Sequence, residues 1–156
     1  MYDLHQELLN ALCATPDTLV GLLAGFSEEQ ARSAKGGEEN WSVVEVICHL
    51  RDAEEISLQR TLAMRDQENP QIIGYNQETL AQERDYQNAN LEEALSGFVA
   101  FRKQHLAVLS ALTPTQWECS GQHNEFGRIT IFAFVLHKVS HDANHCAQIA
   151  RQLAGR

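Results

Sequence analysis

Apolar residues recur at every third or fourth position through four long stretches of this chain, and no stretch alternates apolar with polar residues clearly enough to read as a strand. Helices patterned this way bury their stripes against one another, so the expected fold is all-α. The first stripe runs Leu4, Leu8, Leu12, Leu19, Leu22, Leu23, Phe26. Thr15-Pro16 interrupts it, which predicts either one kinked helix or two in series. The second helix starts at a capping box, where Ser42 and Glu45 satisfy each other's backbone amides and Trp41 staples onto Val46. Its stripe is Val43, Val46, Ile47, Leu50, Ala53, Ile56 and Leu62, ending near Met64 to Gln67 before Asn69-Pro70. Asn90 and Glu93 repeat the capping logic for a third helix, which carries Leu91, Leu95, Phe98, Val99, Phe101, Leu106, Leu109 and Leu112 to Thr113-Pro114. The fourth spans about Ile129 to Leu153 through Phe132, Val135, Leu136 and Val139.

Between these helices lie shorter pieces. Ser27 to Gln30 starts a turn, and residues 34–40 form a polar connector. Residues 70–89 read as polar and irregular with Tyr75 and Tyr86 as anchors, and a connection that long is functional or crosses the length of a bundle. Residues 114–117 make one short turn, and a glycine-bearing loop, residues 119–128, leads into the fourth helix. The pattern predicts a single four-helix-bundle domain over residues 1–156, with any site built from inward-facing side chains.

Charge narrows the partners. A formal net charge of −9 repels a phosphate backbone and an anionic membrane surface, so neither nucleic acid nor membrane is expected. No basic start with an early apolar run resembles a leader, and no stretch approaches the roughly 18 apolar residues of a membrane span, which reads as a cytoplasmic protein. Cys13, Cys48, Cys119 and Cys146 form no CxxC pair and read as reduced thiols. Cys48 and Cys146 each neighbour a histidine, but adjacent helical residues diverge by about 100°, so these thiols point away from it.

His137, His141 and His145 stand four residues apart in the fourth helix. Residues at that spacing lie about 6 Å apart along the axis and can converge on one ion, whereas residues eight apart, about 12 Å along the axis, cannot. The geometry therefore allows 137/141 or 141/145, and His141 belongs to either pair. A third donor must come from a facing element, and His49 in the second helix lies beside the apolar stripe. His5, His105 and His123 have no such setting and read as surface or rim residues. Glu45 is accounted for by its capping box. Asp52 could orient a histidine or a water, although an exposed helical face is the simpler account. Asp142 and Asn144 flank His141 on other faces, and Gln148 follows His145 on the same side as a supporting amide.

Trp41-Ser-Val-Val-Glu-Val-Ile-Cys-His49-Leu-Arg-Asp-Ala-Glu54 resembles the second-helix signature of the DinB-like (YfiT-like) superfamily. Gly127-Arg-Ile-Thr130, His137 and His141-Asp-Ala-Asn-His145-Cys-Ala-Gln148-Ile149 resemble its fourth helix, and the similarity in helix order covers essentially the whole chain. The resemblance implies a bundle with up-up-down-down helices and a three-histidine site for a divalent metal, nickel or zinc. It assigns His49, His141 and His145 as ligands, with Gln148-Ile149 deciding the register against His137. Asp52, His137 and Gln148 are then the expected neighbours of the site. Members of the family are described variously as metal-dependent hydrolases, thiol-dependent transferases and isomerases, or stress-induced proteins. The expectation is a metal-dependent hydrolase of a small-molecule substrate; a thiol S-transferase or a non-catalytic metal-binding bundle are the alternatives. A homodimer is expected as well, because the family's bundles often pair and the first and third helices carry more large apolar residues than one core face needs.

Overall fold

The computed structural model describes residues 3–155. Its long helices are α1 (Leu4–Leu23), α3 (Val43–Asp66), α5 (Leu91–Ser110) and α7 (Ile131–Leu153). Shorter helical pieces are α2 (Glu28–Ser33), α4 (Gln77–Glu83), α6 (Pro114–Trp117) and a single 3₁₀ turn at Tyr86–Asn88. Each long helix begins on a side chain that accepts from its exposed first amides: Asp3, Ser42, Asn90 and Thr130. The capping box of α3 forms as its sequence predicts, with Ser42 N–H donating to Glu45 at 2.7 Å and Glu45 N–H donating to Ser42 Oγ at 3.2 Å. Pro16 lies inside α1, which is one helix rather than two.

Two apolar clusters fill the bundle, one towards each end. The first joins Leu19 of α1, Val43 to Leu50 of α3, Ala94 and Phe98 of α5, and Ile149 and Leu153 of α7. The second joins Leu8 and Leu12, Met64, Leu109, and Ile131, Phe134 and Val135. One end thus gathers the finish of α1 and α7 with the start of α3 and α5, and the other end gathers the reverse. Hence α1 runs parallel to α7, α3 runs parallel to α5, and the two pairs oppose each other. The four-helix bundle is as expected, but the order of directions is up-down-down-up, not the expected up-up-down-down. The cause is the number of long connections. An up-up-down-down chain must cross the bundle twice, whereas this chain crosses once, through residues 67–90, after an α3 about 36 Å long.

The connections also contain strands that no sequence pattern announced. β1 (Lys35–Gly36) pairs antiparallel with β2 (Trp41–Ser42), closing the loop before α3. β3 (Gln71–Ile72) pairs parallel with β4 (Ser120–His123), which turns back antiparallel onto β5 (Gly127–Thr130). Strands of two to four residues are too short to show an alternation. The crossover is more ordered than its polar composition suggests. Tyr86 is buried and donates from its hydroxyl to Asp52 at 2.6 Å, while Tyr75 stays at the surface, 39% exposed.

Candidate metal centre

His49 lies in the second turn of α3, on the face turned to α7, and the antiparallel course of α7 brings His141 and His145 opposite it. Among the described residues, these are the three side chains whose ligand atoms gather within 4.8 Å of one another. His49 Nε2 and His141 Nε2 are 3.0 Å apart, and the ring centroids lie 5.1 Å (49 to 141), 4.8 Å (49 to 145) and 4.5 Å (141 to 145) from each other. Burial depresses all three imidazoles, and the neighbouring histidines and Lys138 add to it. His49 is pushed down to about 2 and His141 to about 4, so both are neutral near pH 7. His145 is lowered in the same direction, again chiefly by burial.

The other ring nitrogens decide which lone pairs face the centre. His145 Nδ1 lies 2.9 Å from Gln148 Oε1, so this nitrogen donates and leaves Nε2 bare. Gly37 of the β1–β2 turn makes room for that amide: with φ at +77°, it has no side chain, and a Cβ there would lie 2.6 Å from Gln148 Nε2. Behind His141, the Asp142 carboxylate and the Lys138 ammonium stand 3.5 and 3.4 Å from Nδ1. The ammonium favours a bare Nδ1 and the carboxylate favours Nδ1–H; with a cation held on Nε2 the second would prevail, and Asp142 would then orient His141 as a carboxylate orients a ligating histidine. The donor set fits a metal. Three neutral imidazoles with ligand nitrogens within 4.8 Å of one another would suit zinc, nickel and other late divalent ions.

A buried ionic cluster supports Asp142. Arg102, 1% exposed, donates to both oxygens of Glu54 at 2.8 and 2.7 Å, to Asp142 at 2.6 Å and to the Leu12 carbonyl at 2.7 Å. Lys138 donates to Asp142 at 2.8 Å and sits 3.3 Å from Glu54. His105 donates from Nδ1 to Glu54 at 2.8 Å and accepts from the Thr61 hydroxyl on Nε2 at 2.8 Å. Burial by itself raises a carboxylic pKa, but here bonds from His105 and Arg102 and the charge of Lys138 outweigh it for Glu54. The charges of Lys138 and Arg102, with a bond from His141, do the same for Asp142, so both stay ionised.

Sequence reasoning placed some residues well and others badly. His137 is one turn out, with its ring 6.4 Å from that of His141, and it lines the clefts beside the cluster. Asp52, expected beside the site or on an exposed face, does neither: it is fully buried and taken up by Tyr86, Arg51 and Arg84. The long crossover supplies two of those partners, which spacing along α3 could not reveal. His105 and His123, read as surface or rim, are buried, because the first is held in the ionic cluster and the second in β4. His5 is half-buried against Trp117, ring to ring at 4.6 Å. Cys48 points into the apolar core, where burial pushes its thiol up to about 11, and neither it nor Cys146 joins the histidines. Missed altogether were Glu54, Arg102 and Lys138. The available signal was a charged residue within or beside an apolar stripe: Glu54 follows Ala53, and Arg102 follows Phe101.

Clefts open on two sides of the cluster. One, of about 810 Å³, runs under the β1–β2 turn along Gly37, Glu39, His141, His145 and Gln148. The other, of about 300 Å³, reaches His49 and His141 between α3, the Gly74–Tyr75 loop and the β4–β5 turn. No helix among the described residues is long and apolar enough to cross a membrane.

Comparison with known proteins bears on the family and the fold. The model of the DinB superfamily matches residues 11–149. A protein of Oceanobacillus iheyensis, provisionally named a metal-dependent hydrolase, is 30% identical over 145 residues, covering 92% of this chain and 82% of its own length. The solved structure of YfiT from Bacillus subtilis, described as a probable metal-dependent hydrolase with an unusual four-helix bundle topology, superposes with a TM-score of 0.80 at 21% identity. That match covers 96% of this chain and 87% of YfiT. With a family match over nearly its whole length and a fold to correspond, this chain belongs to the DinB superfamily.

Proposed function

We propose that this protein is a metal-dependent hydrolase acting on a small molecule, with His49, His141 and His145 holding a divalent ion, zinc or nickel. The observation that carries this reading is the convergence of three largely buried, neutral imidazoles at a wall shared by two clefts. A bound divalent ion there supplies Lewis acidity and lowers the pKa of a water by several units. The protein's part is to hold the donors. Gln148 fixes the tautomer of His145, Asp142 favours Nδ1–H on His141 against the Lys138 ammonium, and the Arg102–Glu54–Lys138 cluster holds Asp142 in place and ionised. Support also comes from the relative and the solved structure described as metal-dependent hydrolases.

The test is elemental analysis of protein purified without a metal-affinity tag, set beside His49→Ala and His145→Ala, followed by a panel of ester and amide substrates. The wild type should carry close to one equivalent of metal and the variants far less, and hydrolysis should follow metal content. Equal metal in all three proteins rejects the site. Turnover of an electrophile only when a thiol is added replaces hydrolysis by thiol transfer on the same metal.

A further inference from the structure

Arg60 stands in the wall of the 300 Å³ cleft, whose lining also includes Glu125, without a direct salt bridge to it. The other arginines of α3 take adjacent carboxylates, Arg51 on Asp52 at 2.7 Å and Arg65 on Asp66 at 2.6 Å. Arg60 makes one hydrogen bond, from Nη2 to the carbonyl of Ile73 at 2.6 Å, and forms no ion pair among the described residues. Its guanidinium carbon lies 5.7 Å from the centroid of Tyr75 and 6.0 Å from that of Phe134. Aromatic contacts of this kind limit the freedom of the side chain, and its guanidinium has donors to spare in a residue that lines the cleft. Burial makes the charge harder to keep, and Tyr75 and Glu125 offset that only in part.

His123 lines the same wall. Its Nδ1 accepts from the backbone amides of Glu125 at 3.1 Å and Phe126 at 3.3 Å, so the ring proton is on Nε2, which has no partner among the described residues. Arg60 and His123 therefore present donors and no acceptor. Around them the wall is apolar: with Phe126, Ile129 and Phe134 they line a recess of about 230 Å³ that adjoins the cleft. The two loops forming the mouth are fastened to each other. Gly74 N–H donates to Asn124 at 2.8 Å, and Gly74 lies close against the Glu125 carboxylate, where a Cβ would come within 2.8 Å of Oε1.

We propose that Arg60 and His123 form an anion subsite for a carboxylate carried on an apolar, ring-sized body, and that the cleft presents acidic small molecules to the three histidines. This rests on the metal-centred reading for the chemistry, but not for the binding. Bidentate recognition of a carboxylate uses a planar guanidinium, and Arg60 offers one tethered to the Ile73 carbonyl and packed near Tyr75 and Phe134. The same aromatic residues give an apolar body its contact surface, and the net charge of −9 makes a locally unpaired cation stand out.

Calorimetric titration of the protein as purified with 3-phenylpropionate, and with its neutral amide, 3-phenylpropanamide, tests the proposal, with metal content measured on each sample. The acid should bind about tenfold or more tightly than the amide, and Arg60→Gln should abolish that preference while metal content stays as in the wild type. Arg60→Lys should keep part of the preference, because it retains a charge without the planar fork. An acid preference that survives Arg60→Gln but vanishes in His145→Ala means that the carboxylate sits on the metal, and it overturns the proposal. Equal binding of acid and amide, or no binding of the acid, overturns it as well. A wild type without metal would refute the proposed hydrolase yet leave the acid-to-amide ratio readable.

Discussion

Replacing Arg102 with methionine removes one charge from a buried cluster that is otherwise balanced, since Arg102 and Lys138 offset Glu54 and Asp142. After the change, the cluster carries one uncompensated negative charge. Lys138 still reaches both carboxylates, at 2.8 and 3.3 Å, and His105 and Thr15 still donate to Glu54 and Asp142, but the Leu12 carbonyl loses its donor. Methionine fills most of the volume, so the loss is electrostatic rather than a cavity. Breaking a buried pair by removing one partner typically costs about 3–5 kcal/mol, a large share of the roughly 5–15 kcal/mol that stabilises a domain. For a chain of this length that corresponds to a fall in Tm of about 6–20 °C. Thermal unfolding followed by circular dichroism at pH 7 reads it directly. Adding Glu54→Gln restores neutrality and should recover a substantial part of the loss, and the deficit of Arg102→Met alone should shrink in mild acid, where an orphaned carboxylate can take a proton. A deficit under about 1 kcal/mol, or a double variant no better than the single, would refute the view that charge balance holds this cluster together.

Two further outcomes follow from the same geometry, and a third from the family resemblance. His137→Ala should keep metal affinity within about tenfold of the wild type, whereas His145→Ala should lose far more; the opposite result, read by competition with a chelator, would shift the ligand pair one turn towards the start of α7. Metal-free protein should lose stability as pH falls below 6.5, because the unfolded chain then protonates histidines that burial keeps neutral in the fold. A second decline should come below about 4.5, where Glu54 and Asp142, held ionised in the fold, are protonated on unfolding; urea midpoints that stay flat from pH 7 to 5 would contradict the first part. The homodimer expected from the family resemblance, and not from this geometry, predicts a light-scattering mass near twice that of one chain, and a mass near one chain across micromolar concentrations would reject it.

The helices were legible because each signal is local. The boundaries of α3 follow from Ser42 and Glu45 three residues apart, and those of α5 from Asn90 and Glu93, contacts that exist before the chain has any tertiary fold. The directions of the helices were legible in principle too. A chain with one long connection crosses its bundle once, and that count alone favours up-down-down-up; the family resemblance led the other way. The strands were hidden because β3 finds its partner in residues 120–123, about fifty positions later, and two residues carry no period of their own.

The candidate site divides along the same line. Helical geometry limited the row of histidines to two adjacent pairs, because rise and rotation per residue are nearly invariant, and it went no further. Choosing between them took the family resemblance, and the structure gathers His141 and His145 with His49, with Gln148 on His145. The ionic cluster behind His141 lay beyond any such argument. Lys138 and Asp142 have the i, i+4 spacing of an ordinary exposed ion pair on a helix, and nothing in α7 shows that this pair is turned inward. What turns it inward is Glu54 on α3 and Arg102 on α5, which are 48 positions apart and are brought together by parallel helices that only the long crossover allows. The feature that obscured the topology is therefore the one that builds the support of the metal site. A chain with the same four helices and the same histidines, but with a short turn after α3, would run α5 the opposite way and leave Asp142 without its arginine.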